Sequence, residues 1–269
     1  MIYEHIIKGT FLSRPNRFIA HVRINENETV ICHVKNTGRC RELLIPGAAV
    51  LLQFHPDAAA LGRKTLYSLI GVWKERPEGP LLINMDSQAP NQVAWEWLQS
   101  IRNNPPLPFY PDSRKECFPE SGLPGMPPPA SLISLTGIRR EVTYDQSRFD
   151  LAFQIVMQGN CCALPAFMEV KGVTLEEQGL AMFPDAPTER GVKHIMELIR
   201  ACREGYESYI LFVIQMKKMT AFAPNWKMHP QFGDALKLAE ETGVHILAYD
   251  CKVTENSLTL DQPIPVSLS

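Results

Sequence analysis

Ala166-Phe-Met-Glu-Val-Lys-Gly-Val173 is the stretch on which the reading of this chain turns. Its apolar residues predict a buried strand. Glu169 and Lys171 nevertheless sit two positions apart, which on a strand puts both on one face with Val170 opposite. A carboxylate in a buried strand is expensive unless a cation or a hydrogen-bond partner compensates it. The preceding apolar run, Arg148-Phe-Asp-Leu-Ala-Phe-Gln-Ile-Val-Met157, repeats the anomaly with Asp150. Two acids on consecutive strands can share one hard divalent cation, Mg²⁺ or Mn²⁺, through oxygen ligands. Such an ion would activate a bound water and neutralise charge developing on a phosphate, with Lys171 orienting that water or stabilising the transition state. An isolated Glu-x-Lys is equally the mark of an ordinary ion pair between strand neighbours, so its weight comes from what surrounds it.

Downstream of Arg139, strands and helices alternate. Strands are predicted near 148–157, 166–173, 209–216 and 244–249, and helices near 188–203 and 230–241, which implies a central sheet covered on both faces. Gln215 and Lys217 share a face where the apolar run Ile210 to Met216 ends. The Gln215 amide is a candidate for a catalytic role, holding a metal-bound water or a phosphate oxygen; equally, the pair simply marks the strand leaving the core. In the helix after Pro187, Val192, Ile195, Met196, Ile199 and Cys202 read as the buried stripe, and Arg190, Lys193, His194 and Glu197 as the solvated one. Asp185 and Thr188 are suited to cap its start, where free N–H groups favour an approaching phosphate, and Arg190 and Lys193 extend that into a clamp.

Upstream, Val93, Ala94, Trp97, Leu98 and Ile101 predict a helix over 90–101. Nine prolines between Pro105 and Pro129, with no periodicity, read as a loop inserted ahead of the next sheet. Residues 1–83 contain four short strand-like runs, 17–24, 29–34, 48–54 and 65–73, separated by turn signals. They predict a small barrel, for which the five-stranded oligonucleotide-binding (OB) fold has the right size, with a small sandwich fitting almost as well. The chain is therefore read as α+β overall, with a barrel over 1–83 and an α/β domain over 84–269. In the barrel segment Arg14, Asn16, Arg17, Asn36, Arg39, Arg63 and Lys64 are candidates to hold successive DNA phosphates, with Phe18 as a stacking face. The plainer alternative is a set of loop charges with Phe18 in the core.

The 269 residues carry a net charge of -2, which argues against a duplex binder, but residues 1–80 hold 11 Lys and Arg against 7 Asp and Glu. Basic residues are thus concentrated where the barrel is expected. Hydrophobic residues at 45% and charged residues at 21% fit a folded globular chain. There is no basic-then-apolar leader and no apolar run of the roughly 18 residues that a spanning helix needs, so a cytoplasmic location without membrane contact is expected. Seven cysteines, including the adjacent Cys161 and Cys162, form no CxxC and are expected to be buried reduced thiols.

Taken in order, Arg14-Pro-Asn-Arg-Phe18, Asn36-Thr-Gly-Arg39, Ser147-Arg-Phe-Asp150, Glu169-Val-Lys-Gly-Val-Thr-Leu175 and Phe183-Pro-Asp-Ala-Pro-Thr-Glu-Arg-Gly-Val-Lys-His194 resemble the sugar fermentation stimulation protein A (SfsA) family. The resemblance runs from near the N-terminus to about Tyr249. It implies an N-terminal OB-fold barrel joined to a C-terminal domain of the PD-(D/E)xK nuclease fold. It also implies binding to DNA without marked sequence preference. Asp150, Glu169 and Lys171 match the nuclease motif, and Glu96 falls where that fold often places a further acidic metal ligand. Two functions follow as expectations: a metal-dependent nuclease, or a non-specific DNA-binding regulator of sugar (maltose) metabolism with little turnover. The 105–129 stretch and His229, where an acid is expected, depart from the family pattern. The oligomeric state is left open.

Overall fold

The protein is described from a computed structural model covering residues 1–36, 38–60, 62–106, 109, 133–145, 147–157 and 163–269. Five strands build the first unit: β1 (Ile6–Asn16), β2 (Ile19–Asn25), β3 (Glu28–Val34), β4 (Ala49–Phe54) and β5 (Tyr67–Lys74). They run in the order β3-β2-β1-β4-β5, and a parallel β3–β5 pairing (Cys32 to Tyr67, Val34 to Leu69) closes the ring. That closure removes both sheet edges and gives the OB topology rather than the sandwich. Phe11, Val22, Cys32, Leu52 and Leu69 fill the interior.

The expected strands are present, but β1 was not readable from periodicity. Only Phe11 of its eleven residues is fully buried, and its register against β2 slips between Phe11 and Ser13 and again between Ser13 and Asn16. Two irregularities break the alternation on which strand recognition depends. A sixth strand, β6 (Leu81–Asn84), extends the barrel sheet from β5 and leads through a turn into α1 (Ala89–Ile101).

The second unit is a six-stranded mixed sheet. Its members are β7 (Ile133–Tyr144), β8 (Ser147–Met157), β9 (Ala163–Val173), β12 (Glu207–Ile214), β14 (His245–Val253) and β15 (Leu258–Pro263), in the order β15-β14-β12-β9-β8-β7. β9, β12 and β14 are mutually parallel at its centre. Every residue of β12 is buried, with Tyr209, Leu211 and Val213 turned to the α1 side and Ile210, Phe212 and Ile214 to the other. On that other side lie α2 (Glu189–Arg203) and α3 (Pro230–Thr242), so both faces are covered. A small sheet of β10 (Leu175–Glu177), β11 (Leu180–Phe183) and β13 (Ala221–Pro224) flanks the main one.

The buried stripe of α2 is rotated from the expected one. Gly191, His194, Ile195, Leu198, Ile199 and Ala201 face inward, while Met196 is 44% exposed. Gly191 is the cause: a Cβ there would lie 2.8 Å from Thr188 and 3.1 Å from the Phe232 ring, so the helix approaches α3 through this glycine and turns His194 toward the sheet.

Cys32, Cys40 and Cys251 are buried and free, and burial pushes the Cys32 and Cys40 thiols up to about 12. Cys161, Cys162 and most of the proline-rich stretch lie outside the described residues. Among the described residues no helix is long and apolar enough to cross a membrane.

Candidate functional site

The parallel centre of the sheet carries Glu169 and Lys171 on its α2 face, and β8 brings Asp150 beside them. Asp150 Oδ2 accepts the Val170 N–H (2.8 Å), and its Oδ1 accepts Asn91 Nδ2–H from the first turns of α1 (2.6 Å). Glu169 is 2% exposed. Its Oε1 receives Lys171 Nζ at 2.5 Å and also meets His194 Nδ1. Arg190 Nε–H points at His194 Nε2 (3.3 Å), which assigns the ring proton to Nδ1, where it faces Glu169. Glu169 Oε2 is buried with no hydrogen-bond partner.

The electrostatics follow from this packing. Burial, and then the neighbouring Glu169 charge, raise the Asp150 carboxyl above its ordinary range. Burial acts the same way on Glu169, but the His194 hydrogen bond and the Lys171 charge outweigh it and hold that carboxyl low. These groups open on a cavity of about 410 Å³ whose walls include Ser87 and Asn91 on one side and Arg190, Gly191 and Thr188 on the other. Thr188 caps α2, its Oγ1 accepting the Gly191 N–H at 3.0 Å, so the positive end of the helix faces the cavity. His229 supports that end from behind: Thr188 N–H donates to its Nδ1 (3.3 Å), and Nε2 lies 3.5 Å from Glu189.

Can these residues hold a divalent cation? Among the described residues no group of three or more His, Cys, Asp and Glu side chains is arranged as a ready ligand cage. Two carboxylates, one raised by burial and then by the other's charge and the second with an orphaned buried oxygen, are still a donor set that a hard cation would satisfy, with water completing its shell. Asp150 and Glu169 therefore fit the group.

The other expected residues are placed as follows. Arg190 lines the cavity, whereas Lys193 points outward toward Glu197 (3.8 Å). Glu96 requires a correction. It pairs with the Met1 amine (2.6 Å) and accepts from Gln92, outside the cavity, because Asn91 is the α1 residue whose helical phase reaches Asp150. Gln215 lies in a neighbouring cavity and braces the turn before α1.

On the barrel, Arg14 is consumed by structure, its guanidinium donating to the carbonyls of Arg17, Asn36, Gly38 and Arg39. Asn16 and Asn36 close turns by accepting the N–H groups of Phe18 and Gly38. These three shape the loops and leave Arg17, Arg39 and Lys64 exposed. Phe18 is 49% exposed and not in the core, with the Arg17 guanidinium 6.0 Å from its ring centre. Arg63 is half-buried and donates to Ser68 Oγ at 2.7 Å.

Sequence reasoning missed His194, which was assigned to the solvated stripe, and Asn91 and Arg148. Arg148 pairs with Glu141 at 3.3 Å on the cavity wall. The signal for His194 was Gly191, which marks the face of a helix that can approach closely.

Residues 12–82 match the SfsA N-terminal OB domain, and 124–257 match the sugar fermentation stimulation protein RE domain. A sugar fermentation stimulation protein homolog of Desulfitobacterium hafniense (strain Y51) is 49% identical over 268 residues, covering 100% of this chain and 99% of the relative. A homolog from Clostridium beijerinckii is 46% identical, with 100% of both chains covered. The solved structure of SfsA from Pyrococcus furiosus in complex with Ca²⁺ superposes with a TM-score of 0.72 at 26% identity, covering 99% of this chain and 98% of that one. With both domain models matched in order and relatives of this similarity spanning its whole length, the chain belongs to the sugar fermentation stimulation protein (SfsA) family.

Proposed function

We propose that this protein is a DNA-binding nuclease of the PD-(D/E)xK type that hydrolyses phosphodiesters with Mg²⁺ or Mn²⁺ and has little sequence preference. The observation that carries this reading is the orphaned Oε2 of Glu169 beside the raised Asp150 carboxyl, in a cavity walled by a capped helix start and Arg190. Asp150 and Glu169 would hold the cation. When bound, it supplies a water activated at neutral pH and positive charge against the phosphate. The relative from Pyrococcus furiosus was solved with Ca²⁺, a cation of the same oxygen-seeking class.

The chain's own residues have separable tasks. His194 and Lys171 both engage Oε1, which fixes the Glu169 carboxylate and leaves Oε2 without a partner. Lys171 Nζ also neutralises charge at the attacking side. Arg190 and the N–H groups at the start of α2 bind the phosphate oxygens. Asn91 and the Val170 N–H hold Asp150. On the barrel, Arg17, Arg39 and Lys64 attract the backbone and Phe18 offers a face for a base.

The test is incubation of purified protein with single-stranded, linear duplex and circular DNA, with Mn²⁺ or with chelator. Metal-dependent cutting that is lost in Asp150→Ala is expected. No cutting by wild type, or equal cutting by the variant, overturns the nuclease reading. One observation favours a second reading, DNA binding in a sugar-metabolism regulator without turnover: the Lys171–Glu169 pair closes half of the carboxylate against a cation. Salt-sensitive DNA binding without cleavage at any Mn²⁺ concentration would select it.

A further inference from the structure

A second cavity of about 170 Å³ adjoins the first and shares Ser87 with it. It opens at Gly172, the residue after Lys171 on β9. A Cβ at Gly172 would come within 2.6 Å of Pro90 Cγ and 2.7 Å of Gln215 Oε1, so only glycine lets the strand pass this close to both. Leu175, Met182 and Phe183, all half-buried, form an apolar wall, and Asn36, Asp185 and Gln215 are among the residues of an acceptor-rich polar edge. The Gln215 amide cannot turn. Its Nε2 donates to Asn84 Oδ1 (2.9 Å), the Asn84 carbonyl (3.1 Å) and the Asp86 carbonyl (3.1 Å), which directs Oε1 to the Gly172 side as an acceptor.

Size and polarity select the occupant. A cavity of about 150 Å³ admits a benzene ring, so this one takes a single six-membered ring and not a fused pair. A flat ring against Met182 and Phe183 with one edge toward a fixed acceptor is the environment of an unstacked base. Both single-ring bases can meet such an acceptor on the edge that an unstacked base exposes, cytosine through its exocyclic amino group and thymine through N3–H.

We propose that this cavity receives the unstacked pyrimidine base of a nucleotide adjoining the phosphate held near Asp150 and Glu169, so that the substrate is single-stranded DNA. The assignment rests on the nuclease reading for the identity of the neighbouring phosphate. Withdrawing a base from a duplex costs a few kcal/mol, and least when the strand is already single. An OB barrel with an exposed aromatic is the kind of surface that tracks a single strand.

The test is calorimetric titration of the full chain with dCMP, dTMP, dAMP and inorganic phosphate. dCMP and dTMP are expected to bind at least about tenfold tighter than dAMP and inorganic phosphate. Thr174→Leu, which fills the cavity, should weaken dCMP at least about tenfold. Equal affinity for all four ligands overturns the proposal. So does undiminished dCMP binding by a Thr174→Leu protein that melts at the wild-type temperature.

A second arm compares single-stranded oligonucleotides that carry cytosine, adenine or an abasic residue within a common sequence. Preference for cytosine over the abasic strand is expected. If dCMP binds but no oligonucleotide preference appears, the ligand is a free nucleotide and the DNA assignment falls. The two readings fail separately: wild type that cuts DNA without discriminating dCMP overturns the cavity assignment alone, and selective dCMP binding without cutting supports the cavity while overturning only the nuclease.

Discussion

Glu169 and Glu176 lie seven residues apart, both are 2% exposed, and each has two basic partners. At Glu176 the partners are shared out. Oε1 takes Lys74 at 2.6 Å, and Oε2 takes the Gly179 N–H at 3.2 Å with Arg76 at 3.7 Å. At Glu169 both partners crowd onto Oε1 and Oε2 is left bare. Burial raises both carboxyls and their hydrogen bonds and neighbouring Lys charge more than reverse it, so direction of shift alone would not tell them apart. The difference is in satisfaction. Glu176 is complete and ties the barrel strand β5 to the flanking sheet, whereas Glu169 keeps an acceptor in reserve beside a cavity.

The comparison can be broken in four ways. The largest effect expected is on cleavage: Glu169→Gln should lower Mn²⁺-dependent DNA cutting by about 10²–10³ or more, the scale for losing one preorganised electrostatic contact. Glu176→Gln should cut at the wild-type rate per folded molecule; similar losses in both would erase the distinction. Stability should show the reverse order. Urea unfolding at pH 7 should cost Glu176→Gln about 3 kcal/mol, since Lys74 and Arg76 lose the carboxylate they share. Glu169→Gln should lose less, because Asp150 still balances Lys171.

Third, Mn²⁺ at a hundredfold excess over its dissociation constant should stabilise wild type and Glu176→Gln by about 2.7 kcal/mol and Glu169→Gln by little, read as thermal shifts. Equal shifts in all three would place the cation elsewhere. The smallest effect concerns pH. The Glu176 carboxyl is depressed in the folded state, so its stabilisation is fully present above the unfolded value of about 4.3 and is lost as pH falls through the lower folded value. The stability gap between wild type and Glu176→Gln should therefore close only below about pH 4. A gap that closes between pH 5 and 7 would mean that another group is responsible.

How much of this was readable beforehand depends on which physical signal each residue leaves in the chain. Asp150, Glu169 and Lys171 stood out because charge in an apolar strand is costly and strand geometry fixes who shares a face. β7 left no such trace: most of its twelve residues are exposed or half-exposed, so it has no buried stripe to betray it. Helical phase was the weaker guide. Counting apolar residues on α2 put Met196 inward and His194 outward, whereas the glycine-mediated approach at Gly191 sets the opposite rotation. On α1 an acid drew attention to Glu96, yet the neutral Asn91 is the residue in contact with Asp150. Arg14 looked like a phosphate ligand because composition reports charge and is silent on where four carbonyls converge.

The Gln215 latch also constrains the order in which the molecule can be finished. Asn84 N–H donates to the Gln215 carbonyl at 2.9 Å, and the Gln215 side chain returns bonds to Asn84 and Asp86, across 131 and 129 positions of chain. During synthesis the five barrel strands emerge first and can close among themselves, and the barrel already supplies that turn with Lys35, whose amine pairs with Asp86 and whose carbonyl accepts from Ser87 Oγ; only the Gln215 bonds must wait until β12 has been made and docked. Asp86 is fully buried in the finished protein, where Lys35 meets its carboxylate at 2.7 Å. Ser87, which walls both cavities, belongs to that same turn, so both pockets are completed only when the second unit docks against it.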